Sequence, residues 1–540
     1  MRTAITLILI VASLSYANDS PQTHMVPMRD GTRLATDVYL PANHTGPLPV
    51  VLARSTYNKN GFRRRANAFA RRGYAFVAQD TRGRFASEGR DSAFLTDGMG
   101  PNRDGYDTIE WITRQEWCDG NVGMLGGSAL GITSYLAAAT GHPALKAAVV
   151  MVAAGNLYHD ALYPGGVYRK AMVDGWVKKH GSTHMLPFVR AHAVRDSTWD
   201  HTDLTVHAPR SPTSIYHWGG WFDCFMKGTI GAFQSLQERG GEGARGRQVL
   251  VVGPWAHGRA KAEQGELVFP GDVAGPDVKR ERYAWFDSRL KGELTSADSL
   301  PVVRYFLMGD VDDSTTPGNV WMSSSTWPPP ESVPTPYYLG GDSALTIEPP
   351  AERESPDAYD YDPRNPSPTR GGQNLRLEKG PYDQRMIEAR PDVLTFTTAP
   401  LESPVAIAGP VRVRLFASSS AKDTDFMARL CDVYPDGRSM LLVDGAIRGR
   451  FRKSFAREEF LTPGRVYEFE IDLWHMANVF NRGHRIRVSI TSSNAPKFQP
   501  NPNTATPFLA DTIGVTARNT IYHDREHPSA IILPVMRVGR

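Results

Sequence analysis

The region between Gly31 and about Leu300 alternates short apolar runs with amphipathic stretches, and this alternation constrains the fold more than any other feature of the sequence. Strands that are buried on both faces have continuous runs of apolar residues, whereas the helices that cover them keep one polar face. The pattern therefore predicts an α/β fold, a parallel sheet with helices on both sides. The predicted strands cover residues 49–53, 74–78, 122–126, 147–153, 215–217 and 249–252, and the predicted helices cover residues 62–72, 107–113, 129–139, 225–237 and 278–290.

One long segment interrupts this alternation. Residues 155–211 lose the strand pattern, are rich in His, Asp, Trp and Tyr, and are predicted to be mostly helical. An insert between two strands of such a sheet usually lies over the carboxyl ends of the strands, where ligands bind. We therefore predict that residues 18–154 and 212–300 form the two parts of one α/β domain, and that residues 155–211 form a helical cap over it.

The remaining chain, residues 301–540, has a different sequence pattern, in which short β-rich runs are separated by Pro- and Gly-rich turns. Residues 411–416 and 486–490 alternate apolar and polar side chains with period two, which is typical of strands buried on one face. The Pro-rich stretches at 327–330 and 349–368 cannot continue regular structure. This part of the chain predicts an all-β domain, a sandwich of the jelly-roll type.

The first 17 residues have the features of a secretory signal peptide. Arg2 supplies a positive charge, residues 5–12 form an apolar core, and Ser15-Tyr16-Ala17 fits the small-x-small cleavage rule. The alternative is a membrane anchor, but the run is shorter than the ~18 to 20 residues that a spanning helix needs, and no later segment is long enough. We expect a secreted or periplasmic protein with no membrane span.

Composition and charge exclude several classes of protein. The 61 Lys and Arg residues against 57 Asp and Glu give a net charge of +4 without long basic runs, whereas a nucleic-acid binder concentrates its positive charge. Cys118, Cys224 and Cys431 are too few and too scattered for a disulfide framework or a zinc site. We expect buried free thiols, no metal and no cofactor. The redox state of the thiols and the oligomeric state, a homo-oligomer included, stay open.

A predicted strand runs into Gly126-Gly127-Ser128, and an Ala-rich helix follows at once. This is the context of a nucleophile elbow, in which a serine sits on a sharp strand-to-helix turn and small neighbours let the backbone pass. The free N–H groups of the helix would face a developing oxyanion. Gly131 lies one residue later than the strict G-x-S-x-G spacing allows, so a plain Gly-rich turn is the alternative.

A nucleophilic serine needs a base and an acid, which in a doubly wound hydrolase follow in the order Ser, acid, His at later strand ends. Past the cap and before residue 300 the only histidines are His217 and His257. His217 lies inside a strand-like run, whereas His257 follows the predicted strand 249–252. Asp223 follows the strand that begins at residue 215. Either residue alone would be an ordinary loop residue, but together and in this order they favour a catalytic triad with Ser128.

The chain also resembles the family of cocaine esterases and X-prolyl dipeptidyl-peptidases, serine hydrolases that include α-amino-acid ester hydrolases and glutaryl-cephalosporin acylases. The similar stretches run over nearly the whole mature chain. They are the segments at residues 30–34, 79–83, 117–124, 219–223, 253–257, 285–287, 423–426, 483–487 and 501–504. The resemblance implies an α/β-hydrolase domain with a cap, followed by a jelly roll.

Carried over residue by residue, the resemblance implies that Ser128 is the nucleophile, Asp223 the acid and His257 the general base. It also implies an oxyanion hole formed by the Tyr57 hydroxyl and the Ala129 N–H. Family members usually have Tyr at the position of Ala129. A backbone donor does not depend on its side chain, so the oxyanion hole is retained while the acyl pocket is expected to be roomier. The cap is also expected to be shorter than in relatives.

The substrate is less well determined by the sequence. Four aromatic side chains near Asp223 are candidates for an apolar acyl pocket, with ordinary core packing as the alternative; they are Trp218, Trp221, Phe222 and Phe225. Three acids of the cap are candidates for binding a substrate ammonium, with solvated surface charge as the alternative; they are Asp160, Asp174 and Asp203.

Three functions therefore stay open at this point. The first is a secreted serine hydrolase that cleaves a small ester or amide. The second uses the same acyl-enzyme chemistry as an X-Pro dipeptidyl-peptidase or an α-amino-acid ester hydrolase or acylase, acting on a short peptide or an amino-acid ester. The third belongs to another class, a protein that binds a carbohydrate or a surface through its jelly roll and carries an inactive hydrolase domain.

Overall fold

A computed structural model describes residues 21–258, 260–507 and 513–536. The predicted signal peptide, residues 1–17, lies outside the described residues. Within the described part of the chain, no helix combines the length and the apolar character needed to cross a membrane.

The first half of the chain builds a ten-stranded sheet in the order β1-β2-β4-β3-β5-β6-β7-β8-β11-β12. From β4 to β11 all neighbouring strands are parallel, and β1, β2 and β12 add antiparallel pairs at the two sides. The strands up to this point of the chain are β1 (Gln22–Pro27), β2 (Arg33–Tyr39), β3 (Leu48–Ser55), β4 (Ala75–Asp80), β5 (Cys118–Gly127), β6 (Leu145–Met151), β7 (Ser214–Phe222), β8 (Val249–Ala256), β9 (Glu263–Gln264), β10 (Leu267–Val268), β11 (Val303–Leu307) and β12 (Val320–Ser324).

Helices connect and cover these strands. The central strands are buried along most of their length, and β4, β7 and β8 are buried at every position, as expected for strands covered on both faces. The parallel sheet predicted from the alternation is therefore confirmed. The helices of the chain are α1 (Arg63–Ala70), α2 (Asp104–Thr113), α3 (Ala129–Ala139), α4 (Lys170–Lys179), α5 (Leu186–Ala191), α6 (Ser197–Asp200), α7 (Leu204–His207), α8 (Met226–Arg239), α9 (Val278–Lys291) and α10 (Arg385–Glu388).

The insert between β6 and β7 contains helices and no strand among its described residues. It begins with a one-turn π-helix, Leu157–Leu162, and continues through α4 to α7. The insert has a small aromatic core of its own, in which Tyr158, Tyr163 and Tyr168 pack with Trp199. Buried tyrosines need partners, and the Tyr158 and Tyr163 hydroxyls each donate to a backbone carbonyl of the insert.

The ten-stranded sheet continues past residue 300, where the sequence predicted that the β domain begins. β11 pairs in parallel with β8, and β12 pairs with β11 in an antiparallel register from Val303–Ser324 to Leu307–Val320. The short strands β11 and β12 therefore complete this sheet before the chain enters the second sheet.

The second sheet has eleven strands in the order β15-β22-β17-β23-β13-β14-β16-β21-β18-β19, with β20 paired to β17. It is antiparallel apart from the β14–β16 pair. A C-terminal β-rich domain is thus present, while its assignment as a jelly roll stays a prediction. Its strands are β13 (Ser332–Gly340), β14 (Ala344–Thr346), β15 (Asp357–Tyr361), β16 (Leu394–Thr397), β17 (Val405–Ser419), β18 (Asp425–Val433), β19 (Ser439–Arg448), β20 (Tyr467–Phe480), β21 (Arg485–Thr491), β22 (Ala517–Tyr522) and β23 (Ala530–Met536).

A buried histidine links the two sheets. His484, directly before β21, places Nδ1 2.8 Å from a carboxylate oxygen of Asp432 and Nε2 3.1 Å from one of Asp310. Asp432 lies on β18, and Asp310 lies in the loop between β11 and β12. Burial opposes a charge on the imidazole, but the two carboxylates outweigh it and raise the pKa of His484 above its usual value.

Candidate active site

Ser128 is the single residue that connects β5, which ends at Gly127, to α3, which begins at Ala129. Its backbone has φ 55° and ψ −124°, a conformation that costs free energy for a residue with a side chain. The turn is held by the Ser128 N–H, which donates to the Met151 carbonyl over 2.9 Å. This is the strained strand-to-helix turn that the sequence predicted as a nucleophile elbow.

Two glycines make this turn possible. A Cβ atom at Gly126 would lie 2.1 Å from the Leu130 carbonyl oxygen, and one at Gly131 would lie 2.6 Å from the Ala153 Cβ. Neither distance leaves room for a side chain. Gly131 therefore permits close packing of α3 against β6 although it lies one residue later than the usual motif places it.

Asp223 follows β7 without a gap and is fully buried. One carboxylate oxygen accepts a hydrogen bond from the Phe225 N–H over 2.7 Å, and the other lies 2.7 Å from Nδ1 of His257. His257 in turn follows β8, and its Nε2 lies 3.0 Å from Oγ of Ser128. The three predicted side chains are thus joined in series at the carboxyl ends of three parallel strands.

The histidine that the sequence set aside lies elsewhere. His217 is fully buried inside β7, with Nδ1 2.7 Å from the Tyr135 hydroxyl and Nε2 3.2 Å from Oε1 of Gln248. Burial lowers the pKa of His217 to about 3, so it stays neutral. It belongs to the core of the sheet.

The environment of His257 combines burial with negative charge. Burial opposes protonation, but Cys224 and Asp223 act in the other direction and raise the pKa of His257 above its usual value. The Cys224 Sγ atom lies 3.6 Å from Nδ1 of the same imidazole. The Asp223–His257 pair is therefore able to stabilise a positively charged imidazole.

The described part of the chain has one cluster of three potential metal ligands within 4.8 Å of one another, formed by Asp223, Cys224 and His257. Nδ1 of His257 already faces Asp223, and Nε2 already faces Ser128. A metal on these ligands would have to replace the Asp223–His257 hydrogen bond. The donor set fits a hydrogen-bonded triad better than a metal centre.

Tyr57 lies two residues after β3, the strand that pairs with β5, and so it is at the same edge of the sheet as Ser128. Its side chain is 39% exposed, and its hydroxyl accepts a hydrogen bond from Nε1 of Trp176 over 3.2 Å. Ala129 is the first residue of α3, where backbone N–H groups are free of intrahelical partners. Both predicted oxyanion donors are therefore at the edge that carries Ser128, Asp223 and His257.

An apolar cavity opens beside Ser128 between the α/β domain and the cap. Among the described residues, those that line it include no acidic or basic side chain. Most come from the cap, with one from the β domain. The larger lining side chains are Phe94, Leu95, Ile132, Leu157, Leu162, Met172, Val173, Trp176, Val177, Met185, Phe188, Val189, Trp199, Phe225 and Leu375.

Residues 30–186 and 178–259 match the family model described as X-Pro dipeptidyl-peptidase (S15 family), and residues 295–532 match that of the X-Pro dipeptidyl-peptidase C-terminal non-catalytic domain. A cocaine esterase from Rhodococcus sp. (strain MB1 Bresler) is 36% identical over 580 residues, covering 95% of this chain and 98% of that protein. The chain belongs to the X-Pro dipeptidyl-peptidase (S15) family of serine hydrolases. The family resemblance predicted from the sequence motifs is thereby confirmed.

Two solved structures match along nearly the full chain. An aminopeptidase from the marine sediment archaeon Thaumarchaeota archaeon has a TM-score of 0.81 at 26% identity, with 99% of both chains covered. An α-amino-acid ester hydrolase has a TM-score of 0.79 at 27% identity, with 98% of both chains covered. The order of an α/β-hydrolase domain followed by a β-rich domain is therefore shared with both.

Of the four aromatic residues proposed for the pocket of this S15 hydrolase, only Phe225 lines the cavity. The other three lie outside the cavity and pack in the core of the sheet, which is the alternative that the sequence left open. Trp218 stacks on Trp255 with ring centroids 4.5 Å apart, Trp221 donates to the Phe306 carbonyl, and Phe222 packs near Phe269.

The three acids of the cap do not line the cavity either. Asp160 is buried, accepts hydrogen bonds from the Gly155 and Asn156 N–H groups, and burial raises its pKa to about 7. Asp174 accepts from the Tyr168 hydroxyl, and Asp203 accepts from the N–H and hydroxyl of Thr205. All three act within the cap and its borders, where they hold backbone and hydroxyl groups.

Sequence reasoning missed most of the cavity wall. Met172, Val173 and Trp176 lie on one face of α4, and the spacing i, i+1, i+4 of large apolar side chains was a usable signal for that face. Leu375 comes from the β domain, more than 200 residues after Ser128 in the chain. No local pattern connects it to the site.

Proposed function

We propose that this S15 hydrolase is a secreted esterase that cleaves small uncharged esters through an acyl-enzyme on Ser128. The observation that carries the proposal is the hydrogen-bonded series from Ser128 through His257 to Asp223 at the mouth of an apolar cavity. The geometry meets the requirement for general-base activation of a serine, since each pair of atoms lies within hydrogen-bond reach.

In the proposed reaction, Nε2 of His257 removes the Ser128 proton while Oγ attacks the ester carbonyl. The Tyr57 hydroxyl and the Ala129 N–H donate hydrogen bonds to the oxyanion of the tetrahedral intermediate. The C–O bond to the alcohol breaks, and the alcohol leaves with the proton that His257 held. Water then attacks the acyl-enzyme, again with His257 as base, and releases the carboxylic acid and Ser128.

The walls of the cavity support an apolar, uncharged acyl group. A substrate ammonium placed there would lose its hydration without gaining a carboxylate partner, which is strongly unfavourable. An aliphatic or aromatic acyl chain, in contrast, would bury apolar surface against side chains such as Met172, Phe188 and Phe225. The cavity therefore favours esters of simple apolar carboxylic acids over substrates with a free amino group next to the scissile carbonyl.

The second candidate is hydrolysis of amino-acid esters or of X-Pro peptides, and it rests on the similarity to the aminopeptidase and to the α-amino-acid ester hydrolase. A panel of p-nitrophenyl acetate, butyrate and benzoate tested beside phenylglycine methyl ester and Gly-Pro-p-nitroanilide separates the two. Faster turnover of the uncharged esters supports the proposal, whereas a preference for either amine-bearing substrate overturns it. Ser128→Ala is the control, and turnover that persists in it would exclude Ser128 as nucleophile.

Export is the other part of the proposal, and it rests on the sequence of residues 1–17. Expression of the full chain in a bacterium with a periplasm, followed by N-terminal sequencing of the exported protein, tests it. A mature chain that begins near Asn18 is the expected result. An uncleaved chain that stays in the cytoplasm would contradict it.

A further inference from the structure

Arg169 is a buried basic residue near the candidate active site, with 1% of the residue exposed, and it directly precedes cap helix α4. In the described part of the chain its guanidinium has no ion pair with a carboxylate. It donates instead to three backbone carbonyls, those of Asp160 over 3.0 Å, Cys224 over 2.8 Å and Gln373 over 2.7 Å. A guanidinium held in this way keeps its charge at a high desolvation cost, which calls for an explanation.

These three carbonyls belong to three different parts of the molecule. Asp160 lies in the π-helix of the cap, Cys224 directly follows the candidate catalytic acid, and Gln373 lies in the β domain. The ring of Trp474 on β20 covers the guanidinium at 5.3 Å from the ring centroid. Arg169 is thus a single side chain that fixes the loop after β7 to the cap and to the second sheet.

Gln373 fixes the other side of the same loop. Its side-chain Nε2 donates to the Trp221 carbonyl and to the Leu442 carbonyl, both over 3.1 Å. The backbone around Asp223 is therefore held two residues before it, at the end of β7, by Gln373 and one residue after it by Arg169. Since Arg169 also bonds the Gln373 carbonyl, the two residues act as one brace.

We propose that Arg169, supported by Gln373, is a positioning residue for the Asp223–His257 pair. The proposal rests on the function proposed above and extends it to a residue that touches neither substrate nor Ser128. Two effects follow from the contacts. The brace sets where the Asp223 carboxylate meets Nδ1 of His257, and the buried positive charge interacts favourably with the Asp223 carboxylate. By the same Coulombic argument, a positive charge at this place works against a second positive charge on His257.

The test compares Arg169→Met with Arg169→Lys, using p-nitrophenyl butyrate over a range of pH. Arg169→Met removes the charge and all donors, so we expect kcat to fall about 10- to 100-fold with little change in KM, because a small misplacement of a catalytic group costs up to about this much. The acid limb of kcat/KM should also move to higher pH. Arg169→Lys keeps the charge but cannot reach three carbonyls. The acid limb of kcat/KM should therefore lie at its wild-type pH, while kcat recovers only in part.

Arg190→Met is the matched control, because Arg190 is an exposed basic residue of the same cap. It should change neither kcat nor the acid limb of kcat/KM.

A folded Arg169→Met protein with wild-type kcat and an acid limb at the wild-type pH would overturn the proposal. If that variant does not fold, Gln373→Leu carries the test, since it keeps the backbone carbonyl that Arg169 needs. We expect a lower kcat for Gln373→Leu, and an unchanged kcat would overturn the proposal.

Labelling of Ser128 by a fluorophosphonate probe distinguishes a failure of the proposed function from a failure of the positioning role of Arg169. Wild-type protein that is not labelled would contradict the proposed function itself. Wild-type protein that is labelled quickly, together with Arg169→Met protein labelled at the same rate, would contradict only the positioning role.

Discussion

Nε1 of Trp176 on cap helix α4 donates a hydrogen bond to the hydroxyl of Tyr57 at the edge of the sheet, over 3.2 Å. The ring of His180, one turn further along, lies 4.9 Å from both aromatic rings. The cap therefore contributes more than a wall to the cavity. It also fixes the orientation of the hydroxyl that we propose as an oxyanion donor.

Replacement of Tyr57 by Phe should lower kcat on p-nitrophenyl butyrate about 100-fold, since one oxyanion donor is lost. Trp176→Phe keeps an aromatic ring in the cavity but removes the donor to Tyr57, so we expect a smaller loss of about 3- to 10-fold. The double variant should be no worse than Tyr57→Phe alone. Measurement of kcat for the three variants tests whether Trp176 acts through Tyr57. If the losses in kcat multiply in the double variant, Trp176 acts independently of Tyr57.

The pH dependence of kcat/KM should reflect the raised pKa of His257. The base works only when it is neutral, so activity falls as the pH drops through that pKa, and the acid limb should lie above the value of about 6.5 of an ordinary histidine. Cys224→Ala removes one of the groups that raise the pKa, so the limb should move to lower pH. Cys118→Ala, distant in the chain at the start of β5, is the control and should leave the limb in place.

Gly131→Ala should destabilise the protein by about 1 to 3 kcal/mol, because the new Cβ would lie 2.6 Å from the Ala153 Cβ and force α3 away from β6. The displaced turn should also slow labelling of Ser128 by a fluorophosphonate. Gly231→Ala in helix α8 is the matched control, since no atom lies within 4 Å of its Cβ position. Urea unfolding should show that this control is as stable as the wild type or slightly more stable.

The link through His484 should make stability depend on pH. Its pKa is raised in the folded protein, so its contribution is present below about pH 6.5 and is lost as the pH rises through the folded value. His484→Gln should cost about 1 to 3 kcal/mol of unfolding free energy at pH 6, and the difference from wild type should shrink at pH 9. Denaturant unfolding at both pH values measures this, with exposed His44→Gln as control. A pH-independent difference would contradict the charged link.

The sequence was most informative where the chemistry is local. The helix after Ser128 was predicted over residues 129–139 and is observed over Ala129–Ala139. Small residues around a strand-to-helix turn are required by neighbours a few positions away, so a short window contains the whole signal. The positions of Asp223 after β7 and of His257 after β8 could be predicted for the same reason, since each residue follows an apolar run.

Prediction was less accurate at the end of β7. The strand was predicted over residues 215–217, but it extends over Ser214–Phe222. A Cβ at Gly220 would lie 2.1 Å from the Trp255 carbonyl oxygen, so this glycine allows two strands to approach each other. Glycine permits both turns and close approach, and a single sequence does not distinguish them.

The cavity and the brace were hardest to predict because their residues are far apart in the chain. Trp218, Trp221 and Phe222 are near Asp223 in sequence, but strand geometry directs them into the core. Leu375 and Gln373 reach the site only because the second domain packs against the cap and the α/β domain. Such contacts are set by tertiary packing and leave no periodic signal.

The pairing of β11 with β8 has a consequence for how the chain can be divided. A fragment cut at residue 300 would end before β11 and β12, and β8 would become the border of the sheet with unsatisfied N–H and C=O groups. Exposed borders of this kind invite aggregation between chains. The sheet that carries Ser128 therefore depends on about two dozen residues after residue 300, which the family model assigns to the C-terminal non-catalytic domain. The boundary between the two family models does not coincide with the boundary between the two sheets.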